Sequence, residues 1–372
     1  MFSPGSCKPG MADRMFPLPA VRELAPGCRV KWSGNTAGGP CVGYRQWLSV
    51  LQFRLLPGQG ARWVIYPLLV VGLLYYFGPR YLYAGPANGF DLGASLVPVG
   101  EIEPGGPPRD GIPAIDHPHF VSAAQADFLA DDDRVLGIDR NGIRKAYAVR
   151  ILNYHEIVND RYGHDAVLVS YCPLCGTGMA FLAPVDGPAR SFGVSGLLYN
   201  SDVLLYDRET DSLWSQLMKQ AISGPLRGQR LQQIAMAHTS WRDWRSRHPD
   251  TLVLSTDTGS RRDYTRSPYA GYEDSPELYF PVRHTDTRYH PKEPVIGLSV
   301  GDVHKAYPFS ELSRTQGLVQ DRVAGREVQV YYDRHNRTGR VLAADGSELP
   351  STISYWFAWL AFHPDSGVYT AP

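Results

Sequence analysis

The sequence predicts an α+β protein, mainly antiparallel β, built as two related lobes from an internal duplication and preceded by one membrane segment. Three observations predict it. Short apolar or alternating runs are closed by Gly, Asn and Asp; an ordered set of motifs occurs twice; and one uncharged stretch lies near the front of the chain. The 37 glycines and 30 prolines among 372 residues favour many short strands and turns over a helical bundle. With 43% hydrophobic and 20% charged residues, wholesale disorder is excluded.

Residues 1–62 carry eight Lys or Arg against Asp13 and Glu23, with much Gly and Pro, and read as a basic, disordered N-terminal tail. The seventeen uncharged residues 63–79, WVIYPLLVVGLLYYFGP, read as a transmembrane anchor or uncleaved signal. Trp63, Tyr66, Tyr75 and Tyr76 stand near its ends, where amphipathic rings suit an interface. Arg45, Arg54 and Arg62 before the run, and Asp91, Glu101 and Glu103 after it, orient the N-terminus inside. The expected partner is therefore an inner or cytoplasmic membrane, with the globular part in the periplasm or outside. Residues 80–113 are a Pro/Gly-rich linker. The rest of the chain is mildly acidic and offers no basic face for phosphates, so nucleic acid is not an expected partner.

Residues 114–293 form the expected first lobe and 294–372 the second, shorter one. Val135-Leu-Gly-Ile recurs as Val295-Ile-Gly-Leu, each followed at equal spacing by Lys-Ala-Tyr, Lys145–Tyr147 and Lys305–Tyr307. AVLVSYCPLCGTG then aligns with EVQVYYDRHNRTG, pairing Tyr171 with Tyr332 and Gly178 with Gly339. Trp241-x-x-Trp244-x-x-x-His248-Pro-Asp-Thr251 matches Trp356-x-x-Trp359-x-x-x-His363-Pro-Asp-Ser366. Gly178 and Trp241 lie 63 residues apart, Gly339 and Trp356 only 17, so the first copy holds an insertion. Runs at 135–139, 145–152, 166–171 and 179–182 read as strands, with Asn141-Gly142 as a hairpin turn. Trp241–His248 reads as a helix capped by Thr239 or Ser240 and ended by Pro249.

Five cysteines are too few for a disulfide scaffold, and Cys7, Cys28 and Cys41 fall in the tail. Cys172-Pro-Leu-Cys175 is the sharpest local feature. A two-residue spacing lets both sulfurs serve one metal, act as a redox or catalytic thiol pair, or close a small disulfide. The second copy has Asp333 and Asn336 there, so the backbone does not demand cysteines. A metal needs further ligands, and His155, Glu156, Asp160 and His164 precede the pair on the connection between two strands, His155 and His164 being the expected ligands; zinc or copper would suit such donors. His155-Glu156 is not the H-E-x-x-H pattern, because Asn159 stands where the second histidine belongs. The insertion adds Ser195, Ser201, Asp202, Asp207, Trp214 and Gln216, polar and aromatic groups suited to a ligand cleft or to tight turns. The leading expectation is a metal- or small-ligand-binding protein using the first-lobe cysteines. The alternative is a thiol- or metal-dependent enzyme with its cleft under residues 179–240 and Cys172, Cys175, His155 and Asp207 as catalytic candidates.

The segments NYHEIVND, VSYCPLCGTGMAF, FGVSGLLYNSDVLLYDRETDSLWSQ and WRDWRSRHPDTLVLS together resemble the domain of unknown function 3179 family, over about residues 110–370. The resemblance implies a prokaryotic, membrane-anchored or secreted setting and no stated activity. His155, Glu156, Asn159 and Asp160 match its first motif and Cys172 and Cys175 its second. Ser195, Ser201, Asp202, Asp207, Trp214 and Gln216 match the third. The family supplies no role for any of them.

Overall fold

In the computed structural model, which describes residues 87–185 and 187–372, the short alternating runs become antiparallel strands joined by tight turns. Asn141 and Gly142 take φ of 53° and 74°, the left-handed pair that a two-residue hairpin needs. Their turn joins strands Arg134–Arg140 and Ile143–Ala148.

Five sheets result. Sheet I runs Ala237–Ser240, Arg134–Arg140, Ile143–Ala148, Leu252–Leu254, Phe120–Ser122. Sheet II runs Gln232–Ile234, Thr177–Leu182, Asp165–Cys172, Ile157–Tyr162. Sheet III holds Ile102–Pro104, Phe192–Tyr199, Asp202–Asp207, Leu213–Ser215 and Gln220–Ser223. Sheet IV runs Thr352–Tyr355, Pro294–Val300, Val303–Pro308, Gly367–Val368, and sheet V runs Glu348–Leu349, Thr338–Ala343, Arg326–Asp333, Leu318–Val323.

The repeated motifs explain matched positions in these sheets. Gly137 pairs with Ala146 in sheet I as Gly297 pairs with Ala306 in sheet IV. Tyr171 pairs with Gly178 in sheet II as Tyr332 pairs with Gly339 in sheet V. Both glycines of the first kind lie under an indole: a Cβ at Gly137 would overlap the Trp244 ring, and one at Gly297 the Trp359 ring. Trp244 Nε1 donates to Thr251 Oγ1 at 2.9 Å, and Trp359 Nε1 to Ser366 Oγ at 2.8 Å, which accounts for the spaced Thr and Ser. Helix Trp241–Arg247 is capped by Ser240, whose hydroxyl accepts from Asp243 N.

Lys-Ala-Tyr joins neighbouring sheets. Lys145 Nζ reaches both carboxylate oxygens of Asp160, at 2.8 and 2.9 Å, and the Tyr147 hydroxyl donates to Asp160 Oδ2 at 2.5 Å. The copy does the same: Lys305 lies 2.6 Å and the Tyr307 hydroxyl 2.9 Å from Asp321. The buried Lys145–Asp160 charges must be paired, which fixes sheet I against sheet II, and the half-buried Lys305–Asp321 pair joins sheets IV and V in the same way.

The expected α+β fold in two lobes is corrected. Strand makes up 40% and helix 10%, and the five sheets form a five-bladed, propeller-like arrangement. The helices are too short to form a layer, and the insertion makes a blade of its own, sheet III. The two copies also interlock rather than separate: strand Ala237–Ser240 packs on Thr338–Ala343, and Thr352–Tyr355 packs on Thr177–Leu182. Among the described residues no helix is long and apolar enough to cross a membrane. The run 63–79, the tail 1–62 and its three cysteines lie outside the described residues.

Replacing Gly297 with Ala should overpack the Trp359 contact and cost about 1–3 kcal/mol in urea unfolding. An unchanged midpoint would show that the indole can move aside freely. Acid should also destabilise the fold. Burial, with His304 stacked at 3.9 Å and Lys219 nearby, pushes His363 down to about 3. The folded ring stays neutral where the unfolded one, with an ordinary value of about 6.5, takes a proton. That contribution is complete above the unfolded value and is lost as pH falls from there toward the folded one. The urea midpoint should drop between pH 7.5 and pH 5, and His363→Gln should shrink the drop.

Candidate metal centre where two turns meet

Two hairpin tips converge. One is the 172–177 turn of sheet II, where Cys172 pairs with Thr177. The other is Asn200-Ser201 of sheet III, between strands Phe192–Tyr199 and Asp202–Asp207. Asn200 and Ser201 have φ of 51° and 65°, a left-handed pair without glycine. Asn200 is held from both sides: its Oδ1 accepts from Arg283 N at 2.8 Å and its Nδ2 donates to Ala361 O at 3.2 Å.

The meeting gathers Cys172, Cys175 and Asp202, whose ligand atoms all lie within 4.8 Å of one another. All three are buried, and both cysteines are free thiols. The Cys175 thiol donates to Ser201 O at 3.4 Å and reaches Asp202 Oδ1 at 3.8 Å, while Cys172 Sγ is 3.9 Å from Ser201 O. Asp202 Oδ2 accepts from Leu217 N at 3.0 Å and from the Ser215 hydroxyl at 3.3 Å.

Burial dominates the electrostatics. It pushes the Cys175 thiol well above its ordinary value, with Cys172 and then Asp202 adding to the effect. It lifts Asp202 to about 7 against those hydrogen bonds. Burial, then the Asp202 carboxyl, raises Glu156 to about 8. Glu156 has φ of 59° and its carbonyl accepts from Tyr171 N at 2.7 Å, which sets it beside the cysteine strand. The Tyr355 ring packs on Gly176 of the turn, and burial first, then the neighbouring cysteines, holds the Tyr272 hydroxyl above its ordinary range. Three buried polar atoms have no partner here or on the adjoining turns: Ser201 Oγ, Gln216 Oε1 and the Tyr272 hydroxyl.

The histidines stay away. His155 Nδ1 lies 2.7 Å from Pro113 O and Nε2 2.6 Å from the Tyr264 hydroxyl, so both ring nitrogens are engaged. His164 is exposed on the far hairpin; strand Asp165–Cys172 separates it from the sulfurs by roughly 25 Å at ~3.3 Å per residue. Asp207 sits at the other end of strand Asp202–Asp207, where it accepts from Thr210 N at 2.9 Å and Trp214 Nε1 at 2.9 Å. The Ser195 hydroxyl bonds Leu204 O and Leu197 N across a bulge at Gly196. Gln216 Nε2 donates to Ser170 Oγ at 2.9 Å and Thr177 O at 3.3 Å, tying sheet III to sheet II. Of the polar insertion, then, Asp202 joins the sulfurs, Ser201 presents its carbonyl, Gln216 ties the two sheets, and Ser195, Asp207 and Trp214 brace sheet III itself.

The sequence reading placed Glu156 among the groups preceding the pair but favoured the histidines, and it missed the tyrosines as neighbours. Glu156 had a signal, since its motif precedes the cysteines, but the turn that directs it inward while His155 faces Tyr264 is not written in residue spacing. Tyr269 and Tyr272 come from the strandless stretch 255–293, which shows no periodicity to read.

The equivalent turn in sheet V provides a comparison within the molecule. Asp333 Oδ1 accepts from His335 N at 2.8 Å and Asn336 N at 3.1 Å, an ordinary side-chain brace at the surface. The Cys172 turn is formed without such a brace. Its sulfurs therefore do no turn-forming work that Asp333 performs in the other copy.

A family model described as "Protein of unknown function (DUF3179)" matches residues 109–345. No curated protein and no solved structure matches the chain.

Ser201 Oγ makes no hydrogen bond, and its backbone is left-handed. Ser201→Gly should therefore stabilise the fold by about 1 kcal/mol in urea unfolding. A loss of stability instead would mean that the hydroxyl is bonded.

Proposed function

The chain belongs to the family of proteins of unknown function designated DUF3179, and from the donors gathered at the two turns we propose that it binds one transition-metal ion, zinc or copper, through Cys172, Cys175 and Asp202. The observation that carries the reading is the mutual approach of three acidic donors, within 4.8 Å, in a buried place. Burial disfavours ionisation of the Cys175 thiol and the Asp202 carboxyl, and the sulfur contacts with Ser201 O and Asp202 are long. A divalent or soft monovalent cation bound between the donors offsets that cost by favouring their ionised forms.

The donor types narrow the ion. Thiolate sulfur favours zinc and monovalent copper over magnesium or calcium, and a carboxylate is compatible with zinc. Three protein ligands leave a fourth position. The unpartnered Ser201 Oγ and the raised Glu156 carboxyl are the nearby groups able to serve it or to order a water there.

The test is metal content and affinity of the full chain, purified under reducing conditions and dialysed against zinc or monovalent copper. The expected result is one ion per chain with at least tenfold weaker binding in Cys172→Ser and Asp202→Asn. Asp333→Ala, at the matching position of sheet V, should bind as the parent does. The three cysteines of the tail are controlled by these comparisons, since every variant retains them. Sub-stoichiometric metal that ignores the Cys172 and Asp202 substitutions would overturn the reading. So would a thiol count showing the pair closed as a disulfide after reduction and air exposure in the presence of metal.

A further inference from the structure

A small cavity of about 70 Å³ lies against the metal centre, sharing Tyr171, Gly176 and Tyr355 with its surroundings. It opens between the interlocked copies, bordered from one by Arg134 and His238 and from the other by Arg337 and Ser354. We infer that this cavity binds a small oxyanion, the group that a phosphate, a sulfate or a carboxylate presents, between the guanidinium groups of Arg134 and Arg337.

Charge carries the argument. Arg134 donates only to backbone carbonyls, to Asn336 O at 2.6 Å, His238 O at 2.8 Å and Arg337 O at 3.0 Å. Arg337 stands close enough to disfavour its charge, and burial pushes Arg134 down to about 10. Among the described residues neither arginine has a carboxylate within ion-pair distance; Glu273 borders the cavity but forms no such pair. A half-buried guanidinium without a counter-ion is costly, and the exposed Arg337 sets a second positive charge at the rim of the same cavity. Two further polar atoms at its edge, His238 Nδ1 and Ser354 Oγ, are buried and unpartnered. A ligand with several acceptor oxygens answers all four needs, and arginine's planar fork suits it.

The repeat shows that the backbone does not require these residues. The positions matching Arg134, His238 and Arg337 in the other copy hold Pro294, Ile353 and Gly176, none of them charged. The polar groups have accumulated on one side of a shared architecture, next to the cysteines. The size is consistent with a small ion, since a single water needs roughly 10–15 Å³ on this measure.

The inference does not rest on the metal reading, and its test keeps the two apart. Inorganic phosphate, sulfate and acetate are each titrated calorimetrically into the full chain, with chelator present and ionic strength fixed. Saturable binding of at least one anion is expected, at least tenfold weaker in Arg134→Gln and in Arg337→Gly. The second variant installs the residue of the matching turn and relieves a φ of 46°, so it should keep the fold. Phosphate or sulfate binding without acetate assigns a tetrahedral anion; acetate alone assigns a carboxylate. Cys172→Ser should change the affinity less than twofold. No saturable heat with any of the three, or equal affinity in Arg337→Gly, overturns the inference.

Discussion

The buried Lys145–Asp160 pair, with the Tyr147 hydroxyl on the same carboxylate, is the constraint on which the rest of the fold depends. Its lysine and tyrosine come from sheet I and its aspartate from the edge of sheet II. Neither ion can be left alone in the interior, so the two sheets have one tolerable relation. The second pair of sheets repeats the device through Lys305, Tyr307 and Asp321. Once sheet II is fixed at its outer strand, its central hairpin is fixed too, and with it the turn that carries Cys172 and Cys175.

A fixed turn becomes a site only because a second turn is brought to it. Sheet III supplies that turn, and Gln216 secures it by donating to Ser170 and Thr177 on either side of the cysteine hairpin. The left-handed Asn200-Ser201 pair then aims a carbonyl at both sulfurs and starts the next strand with Asp202. No counterpart of sheet III exists for sheet V, and there the matching turn keeps Asp333 and Asn336 at the surface. One insertion therefore converts a structural turn into a buried cluster of donors.

The interlocking of the copies has a second consequence. Tyr355 N donates to Cys175 O at 2.8 Å, and the Ser240 hydroxyl donates to Asn336 Oδ1 at 2.6 Å, so each copy's closing strand seals the other's turn. The cavity between these seals is bordered by Arg134 and Arg337 and by Tyr171 and Tyr355, with Gly176 of the cysteine turn at its edge. Acidic donors and unpaired guanidinium groups thus sit side by side. That is the arrangement expected where a cation and an anion are held within reach of one another.

The sequence by itself determined the local β structure, the Asn141-Gly142 turn, the Ser240 helix cap and the repeated motifs, because each depends on neighbours along the chain. It also singled out Cys172 and Cys175, since a matching copy without them removed the structural need. Partnership was another matter. His155 and His164 are near the cysteines in the chain and remote from them in chemistry, one ring spent on Pro113 and Tyr264, the other a strand's length away. Asp202 lies about thirty residues on and arrives by sheet packing. The two-lobe α+β expectation failed for the same reason: a repeat fixes what each copy looks like, whereas strand exchange between copies and the extra blade are decided by packing over long sequence distance. Only the tertiary structure brings Asp202 to the sulfurs and Arg337 to Arg134, because the contacts that do so belong to surfaces and not to segments.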